Sequence, residues 1–258
     1  MERAVEAARQ GDLLHFSSLP AGELAALITK RDDDERSLLH TACSTPNTDL
    51  VQFLVDHGAA QCVKWADEEG WTPLHTAASA GQVATAKLLL SLGADANALT
   101  AQKRSALHYA ASKGQEALAR LLLESGAQAD ARDCLGATPL HRAAATGRTP
   151  VIKVLLGDGG AQLDPRNNDG ATPLLLAAMG GHQTAALLLA ARGADVEVRR
   201  CMLPAGTALE ACRSSMRQKT CCQIIQAISF ECNGAPLAGR GQRGRDAAGG
   251  GGGARQAA

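Results

Sequence analysis

The chain has 258 residues, of which 45% are hydrophobic and 20% charged, enough apolar content for a packed core. Basic and acidic residues balance at 26 each, and since four arginines and one acid fall after residue 233, the preceding part holds 22 basic and 25 acidic residues, which excludes a nucleic-acid binder driven by bulk charge. Aromatic residues make up only 2%, a poor supply for an irregular core but a fit to one built from repeated Leu and Ala helices.

From the N-terminus, MERAVEAARQ has no apolar leader core, and no later stretch approaches the uncharged length needed to span a bilayer. The eight cysteines form no CxxC pair and no spacing that gathers four thiolates around zinc, so reduced thiols in the cytoplasm or nucleus are expected. Residues 1–32, with Val5-Glu6-Ala7-Ala8, Gly11-Asp12 and Leu13 to Leu19, read as a degenerate version of the unit that follows.

That unit recurs six times, starting at Ser37-Leu38-Leu39-His40, Thr72-Pro73-Leu74-His75, Ser105-Ala106-Leu107-His108, Thr138-Pro139-Leu140-His141, Thr172-Pro173-Leu174-Leu175 and Thr207-Ala208-Leu209-Glu210, with starts 35, 33, 33, 34 and 35 residues apart. Each of the first five is followed by an apolar run and then Gly-Ala, as at Leu88-Leu89-Leu90 and Gly93-Ala94. In the unit 68–100, Thr72 is placed to cap a first helix, Pro73 suits its first turn, and Gly81 suits its end. Val83 to Leu90 then give a second, Leu-faced helix, and Asp95 to Ala101 an extended loop.

These residues resemble the ankyrin repeat, whose period is about 33 and whose signature is Thr-Pro-Leu-His-x-Ala. One helix pair cannot cover its own apolar face, so neighbouring pairs must stack. The expected fold is all-α, an ankyrin-repeat solenoid of about seven helix-pair repeats. It comprises an N-terminal capping repeat at 1–32, five repeats over 33–202, a C-terminal capping repeat at 203–233, and a disordered Gly/Arg-rich tail at 234–258.

Chemistry is scarce. His40, His75, His108 and His141 share one slot of the repeat, which points to a hydrogen-bonding role in the loops rather than to catalysis or metal binding; His182 falls in a structural Gly-His position, and His15 and His57 at the surface. No Walker loop, dinucleotide fingerprint or nucleophile elbow occurs, Cys221-Cys222 reads as core thiols, and the Arg-Gly tail as passive. The expectation is a non-enzyme with no cofactor, no membrane and no specific nucleic acid, a monomer when free.

Ankyrin solenoids bind proteins with their loop tips and the exposed side of each first helix, the concave face. Here those positions hold Asp33, Asp34 and Arg36, then Glu68, Glu69 and Trp71, then Gln102, Lys103 and Arg104, then Arg132, Cys134 and Leu135, then Asn168 and Asp169, with Ser79, Lys113 and Arg142 on the adjoining helices. The first two loops are acidic, whereas Lys103, Arg104, Lys113, Arg132, Arg142, Arg166, Arg199 and Arg200 make the rest basic. A partner with the complementary order of charges is implied, with Trp71 as an aromatic anchor.

Gly70-Trp71-Thr72-Pro73-Leu74-His75, Ala77-Ala78-Ser79-Ala80-Gly81, Ala106-Leu107-His108-Tyr109-Ala110-Ala111-Ser112-Lys113 and Leu140-His141-Arg142-Ala143-Ala144-Ala145 resemble the gankyrin family of seven-repeat proteasome assembly chaperones, over residues 1 to about 230. The resemblance implies a concave face that cradles the C-terminal domain of a proteasomal regulatory ATPase subunit, with contacts at Asp34, Arg36, Glu68 and Lys113 beside Trp71. Animal members carry a Leu-x-Cys-x-Glu motif for the retinoblastoma protein, but Leu176-Ala177-Ala178-Met179-Gly180 stands here, so that activity is not implied. The competing reading is a generic ankyrin adaptor or kinase-inhibitor-like signalling regulator using the same surface.

Overall fold

The computed structural model describes residues 2–195. Three short helices open the chain: α1 (Glu2–Gln10), α2 (Leu13–Ser17) and α3 (Ala21–Thr29). Five helix pairs follow, α4 (Leu38–Ala42) with α5 (Thr48–Asp56), α6 (Pro73–Ala80) with α7 (Val83–Ser91), α8 (Ala106–Lys113) with α9 (Glu116–Glu124), α10 (Pro139–Ala145) with α11 (Thr149–Gly157), and α12 (Pro173–Met179) with α13 (Gln183–Ala191). First helices stack on first helices in the order α1, α4, α6, α8, α10, α12, and second on second from α5 to α13. Among the described residues there is no strand, only one bridge between Arg31 and Ser37.

The stacking follows from which residues repeat. Leu39, Leu74, Leu107, Leu140 and Leu174 form one buried column, and Leu54, Leu89, Leu122, Leu155 and Leu189 another. Each such leucine contributes about 1.5–3 kcal/mol by burial. Between them, Ala42, Ala77, Ala110, Ala143 and Ala177 are fully buried, as are their neighbours Cys43, Ala78, Ala111, Ala144 and Ala178. Side chains this small let the helices approach closely. Cys43 occupies an alanine slot, and burial pushes its thiol far up, leaving it an apolar filler.

Two features differ from the repeat pattern. The N-terminal segment has three helices instead of two, because Pro20 interrupts the second and the chain restarts as α3, which buries Leu24 and Ile28. The first 35-residue spacing is absorbed by a 3₁₀ turn, Ala59–Cys62, entered through Gly58 at φ 110°. The expected loop Asp95–Ala101 contains turns. The predicted C-terminal cap (203–233), the tail (234–258), Arg199 and Arg200 lie outside the described residues.

Candidate protein-binding face

Each pair is entered through a tight finger whose first residue lies five positions before the helix cap: Asp32, Asp67, Thr100, Asp133 and Asn167. In four fingers this side chain braces the turn by accepting two backbone N–H groups through Oδ1. Asp32 accepts from Asp34 (3.1 Å) and Arg36 (2.7 Å), Asp67 from Glu69 (3.1 Å) and Trp71 (2.8 Å), Asp133 from Leu135 and Ala137 (both 2.9 Å), and Asn167 from Asp169 (3.1 Å) and Ala171 (2.8 Å). Thr100 reaches only Arg104 N–H, at 3.2 Å.

Adjacent fingers are tied by a ladder of backbone bonds, from Glu68 N–H to Asp34 C=O (3.2 Å), Ala101 to Glu69 (2.8 Å), Cys134 to Gln102 (3.0 Å) and Asn168 to Leu135 (3.0 Å). A second set of ties comes from the four repeated histidines. Nδ1 of His40, His75, His108 and His141 accepts the N–H of its own capping Ser or Thr and lies 2.9–3.0 Å from that residue's hydroxyl. Nε2–H then donates to a carbonyl of the next finger, Trp71, Arg104, Ala137 and Ala171 respectively, at 3.0–3.2 Å. Both nitrogens are used and the neutral tautomer is fixed. Burial, the largest influence, pushes all four imidazoles down, His108 to about 4. Where Leu175 takes the slot, Thr172 Oγ1 caps Leu175 N–H directly at 3.3 Å. His182 likewise ties α13 back, Nε2 lying 3.0 Å from Ala145 C=O.

Charge is used inside the face as well as on it. Arg36 Nε sits 3.7 Å from Asp67 Oδ2, and Arg104 Nε 3.6 Å from Asp133 Oδ2. In each case the residue before a cap reaches the base of the following finger. Asp133 also receives Arg142 through Nε (3.1 Å) and a terminal guanidinium nitrogen. Burial pushes the Asp133 carboxyl up, but hydrogen bonds from Arg142, Ala137 and Leu135 outweigh it and hold the group below the usual carboxylate range. Trp71 stands at the position of Arg36 and Arg104, and the following finger base is Thr100 instead of Asp. There the contact is aromatic: Trp71 and Tyr109 ring centroids are 4.6 Å apart, with the His75 ring 6.0 Å from Tyr109 and edge-on to it.

The predicted contact residues therefore fall into two groups. The side chains of Asp33, Asp34, Glu68, Glu69, Lys103 and Lys113 are exposed and make no hydrogen bond or ion pair among the described residues. Arg36, Arg104 and Arg142 are half-buried and hold the scaffold through Asp67 and Asp133, while the exposed Arg132 donates to Arg166 C=O at 2.8 Å. Ser79 and Trp71 are half-buried on the same face. Asp33, Asp34, Glu68 and Glu69 carry free charges, but Glu35 and Asp67 of the same acidic loops pair with Arg31 and Arg36, and the basic half is partly compensated by Asp133, a counter-charge that sequence reasoning missed although its register with Asp32 and Asp67 marked it. Tyr109 was missed as a face residue too, despite lying on the exposed side of a first helix.

No described helix is long and apolar enough to cross a membrane, and no group of three potential ligands among the described residues could hold a metal ion. Rigid fingers bearing unpaired charges around a half-buried aromatic pair define a repeat scaffold that binds proteins. The chain belongs to the ankyrin-repeat family, described as ankyrin repeats (3 copies), which it matches over residues 5–100, 66–133, 91–166 and 107–200.

Among curated relatives, the 26S proteasome non-ATPase regulatory subunit 10 of Dictyostelium discoideum is 42% identical over 66 residues, 25% of this chain and 28% of that protein, which supports the resemblance to the gankyrin family. Human protein phosphatase 1 regulatory subunit 27 is 39% identical over 90 residues, 35% of this chain and 56% of that protein. Rat diacylglycerol kinase zeta is 34% identical over 95 residues, 36% of this chain but 10% of the kinase, a partial match in the ankyrin region alone. The chain thus spans between 10% and 56% of the length of these relatives.

Proposed function

We propose that the chain is a proteasome regulatory-particle assembly chaperone that holds the C-terminal domain of one proteasomal ATPase subunit against its fingers and first helices. The observation that carries this reading is the 42% identity to a 26S proteasome non-ATPase regulatory subunit. The charge order agrees with it: free carboxylates at Asp33, Asp34, Glu68 and Glu69 are followed by free ammonium groups at Lys103 and Lys113, which would steer a folded, charged partner and fix its register. The protein acts as a monomer when free, in the cytoplasm and nucleus.

The match covering 56% of a protein phosphatase 1 regulatory subunit favours the second reading, an ankyrin adaptor that puts the same face on another client. Calorimetric titration of the full chain with the C-terminal domain of each regulatory ATPase subunit separates the two. The chaperone reading expects salt-sensitive binding to one subunit, weakened about tenfold by Lys113→Glu, a loss of about 1.4 kcal/mol. Binding to none of them, with capture of a phosphatase catalytic subunit instead, would replace it with the adaptor.

A further inference from the structure

The residue two positions before each cap must take a left-handed backbone for the finger to turn. Gly70, Gly136 and Gly170 do so at φ 76°, 68° and 73°. Glu35 and Lys103 hold the same conformation with side chains, at φ 59° and 55°, where glycine is favoured. Glu35 is offset within the fold, since Arg31 Nη1 lies 2.9 Å from its carboxylate. Lys103 is not: its ammonium group has no partner among the described residues, and its finger is the one braced by Thr100 with a single bond in place of two. The fold gains nothing from this lysine and would turn more easily with glycine.

Lys103 also lies where the charge of the tips changes sign. Glu68 and Glu69 occupy the preceding finger, joined to this one by the Ala101-to-Glu69 bond, and the Trp71–Tyr109 pair lies on the same face. Stacked helices are about 8–10 Å apart, so a docked protein meets two carboxylates and then a cation within one repeat step.

We propose that Lys103 is a specificity-determining residue of the protein-binding face, retained against its backbone preference because it pairs with a carboxylate of the docked protein. The proposal rests on the docking function above and names one charge the partner must carry.

The test uses the full chain with Lys103→Gly and Lys103→Ala, measuring thermal midpoint and affinity for the C-terminal domains of the proteasomal ATPase subunits. Lys103→Gly removes the charge and the strain, and is expected to raise the midpoint by about 2–4 °C; Lys103→Ala removes only the charge and should not. Both should weaken binding about three- to tenfold at low salt and equally little at high salt. Unchanged affinity, or a midpoint that does not rise with glycine, overturns the proposal while leaving the chaperone reading intact. If the wild-type chain binds none of these domains, that reading fails separately, and titration with a poly-glutamate peptide at low salt decides this one. Amide shifts around residues 101–104 that disappear in Lys103→Gly support it; identical shifts in both proteins overturn it.

Discussion

The second and third fingers meet through Trp71, Tyr109 and His75, whereas the third and fourth meet through Arg104, Asp133 and Arg142. Both seams occupy the same register of the repeat and bury residues at the same depth, one with rings and the other with charge. The difference teaches that the ankyrin unit constrains shape and backbone bonding more tightly than side-chain chemistry, provided the two sides of a seam change together. Arg before one cap goes with Asp at the next finger base at Arg36 and Asp67 and again at Arg104 and Asp133; Trp71 goes with Thr100. The charged seam carries a liability that the aromatic one lacks, because either partner left alone is a buried or half-buried unpaired ion.

The largest expected effect is therefore at Asp133. Asp133→Ala strips Arg104 and Arg142 of their counter-charge and leaves the Leu135 and Ala137 N–H groups without their acceptor. A loss of about 3–4 kcal/mol in urea-induced unfolding is expected. Asp133→Asn should lose about half as much, because Asn167 braces its own finger with an amide in the same geometry. Equal losses for the two variants would mean that the ion pair, and not the brace, is what matters at this seam.

Acid should also strike the charged seam. His108 stays neutral in the folded protein down to about pH 4, while in the unfolded chain it binds a proton near the ordinary value of about 6.5. Between these limits the unfolded state holds more protons, so stability is complete above about pH 6.5 and falls as pH drops through the window, by up to roughly 3 kcal/mol from this residue. His40, His75 and His141 act in the same direction. At His108 the Asp133 carboxylate opposes the shift while Arg142 and Arg104 add to it, and at His75 Asp67 and Asp95 oppose it. Urea midpoints measured at pH 7, 6 and 5 should fall steadily in the wild type and less steeply in His108→Gln. Unchanged slopes would show that the imidazole finds another way to be protonated while folded.

Much of this was legible in the sequence because the signals repeat. Thr-Pro-Leu-His at Thr72 and Thr138 gave the cap, the first turn and the histidine tie together, and the alanine pairs gave the close helix stacking. The parts that escaped are those where one copy departs from the others. Pro20 splits the N-terminal second helix, and the two extra residues after α5 are taken up by a 3₁₀ turn, neither of which a periodic pattern describes. Asp133, between Arg132 and Cys134 on a finger, looks like a solvated charge, yet its side chain has no exposure at all. Only the register with Asp32, Asp67 and Asn167 carries that information. Among the predicted contact residues, Asp34, Glu68 and Lys113 read as free charges and make no side-chain hydrogen bond or ion pair among the described residues, whereas Arg104 and Arg142 look equally free in one dimension and are bound in three.

The smallest effect tests whether the two seam chemistries are interchangeable. Trp71→Arg alone forfeits the Tyr109 contact, about 1 kcal/mol for an aromatic pair, and places a guanidinium opposite Thr100, which has no charge to neutralise it. Thr100→Asp alone gives the third finger the two-bond brace of its neighbours but leaves a carboxylate facing indole and phenol rings. Together they rebuild the arrangement of Arg36 with Asp67, so the double variant should be more stable than the sum of the singles predicts, by about 1 kcal/mol in a double-mutant cycle read by urea unfolding. Additive losses would mean that each seam is tuned to its own surroundings, with Tyr109 as the residue that commits this one to rings. A positive coupling would instead establish the pairing between the residue before one cap and the base of the next finger as a rule that the fold enforces and that either chemistry can satisfy.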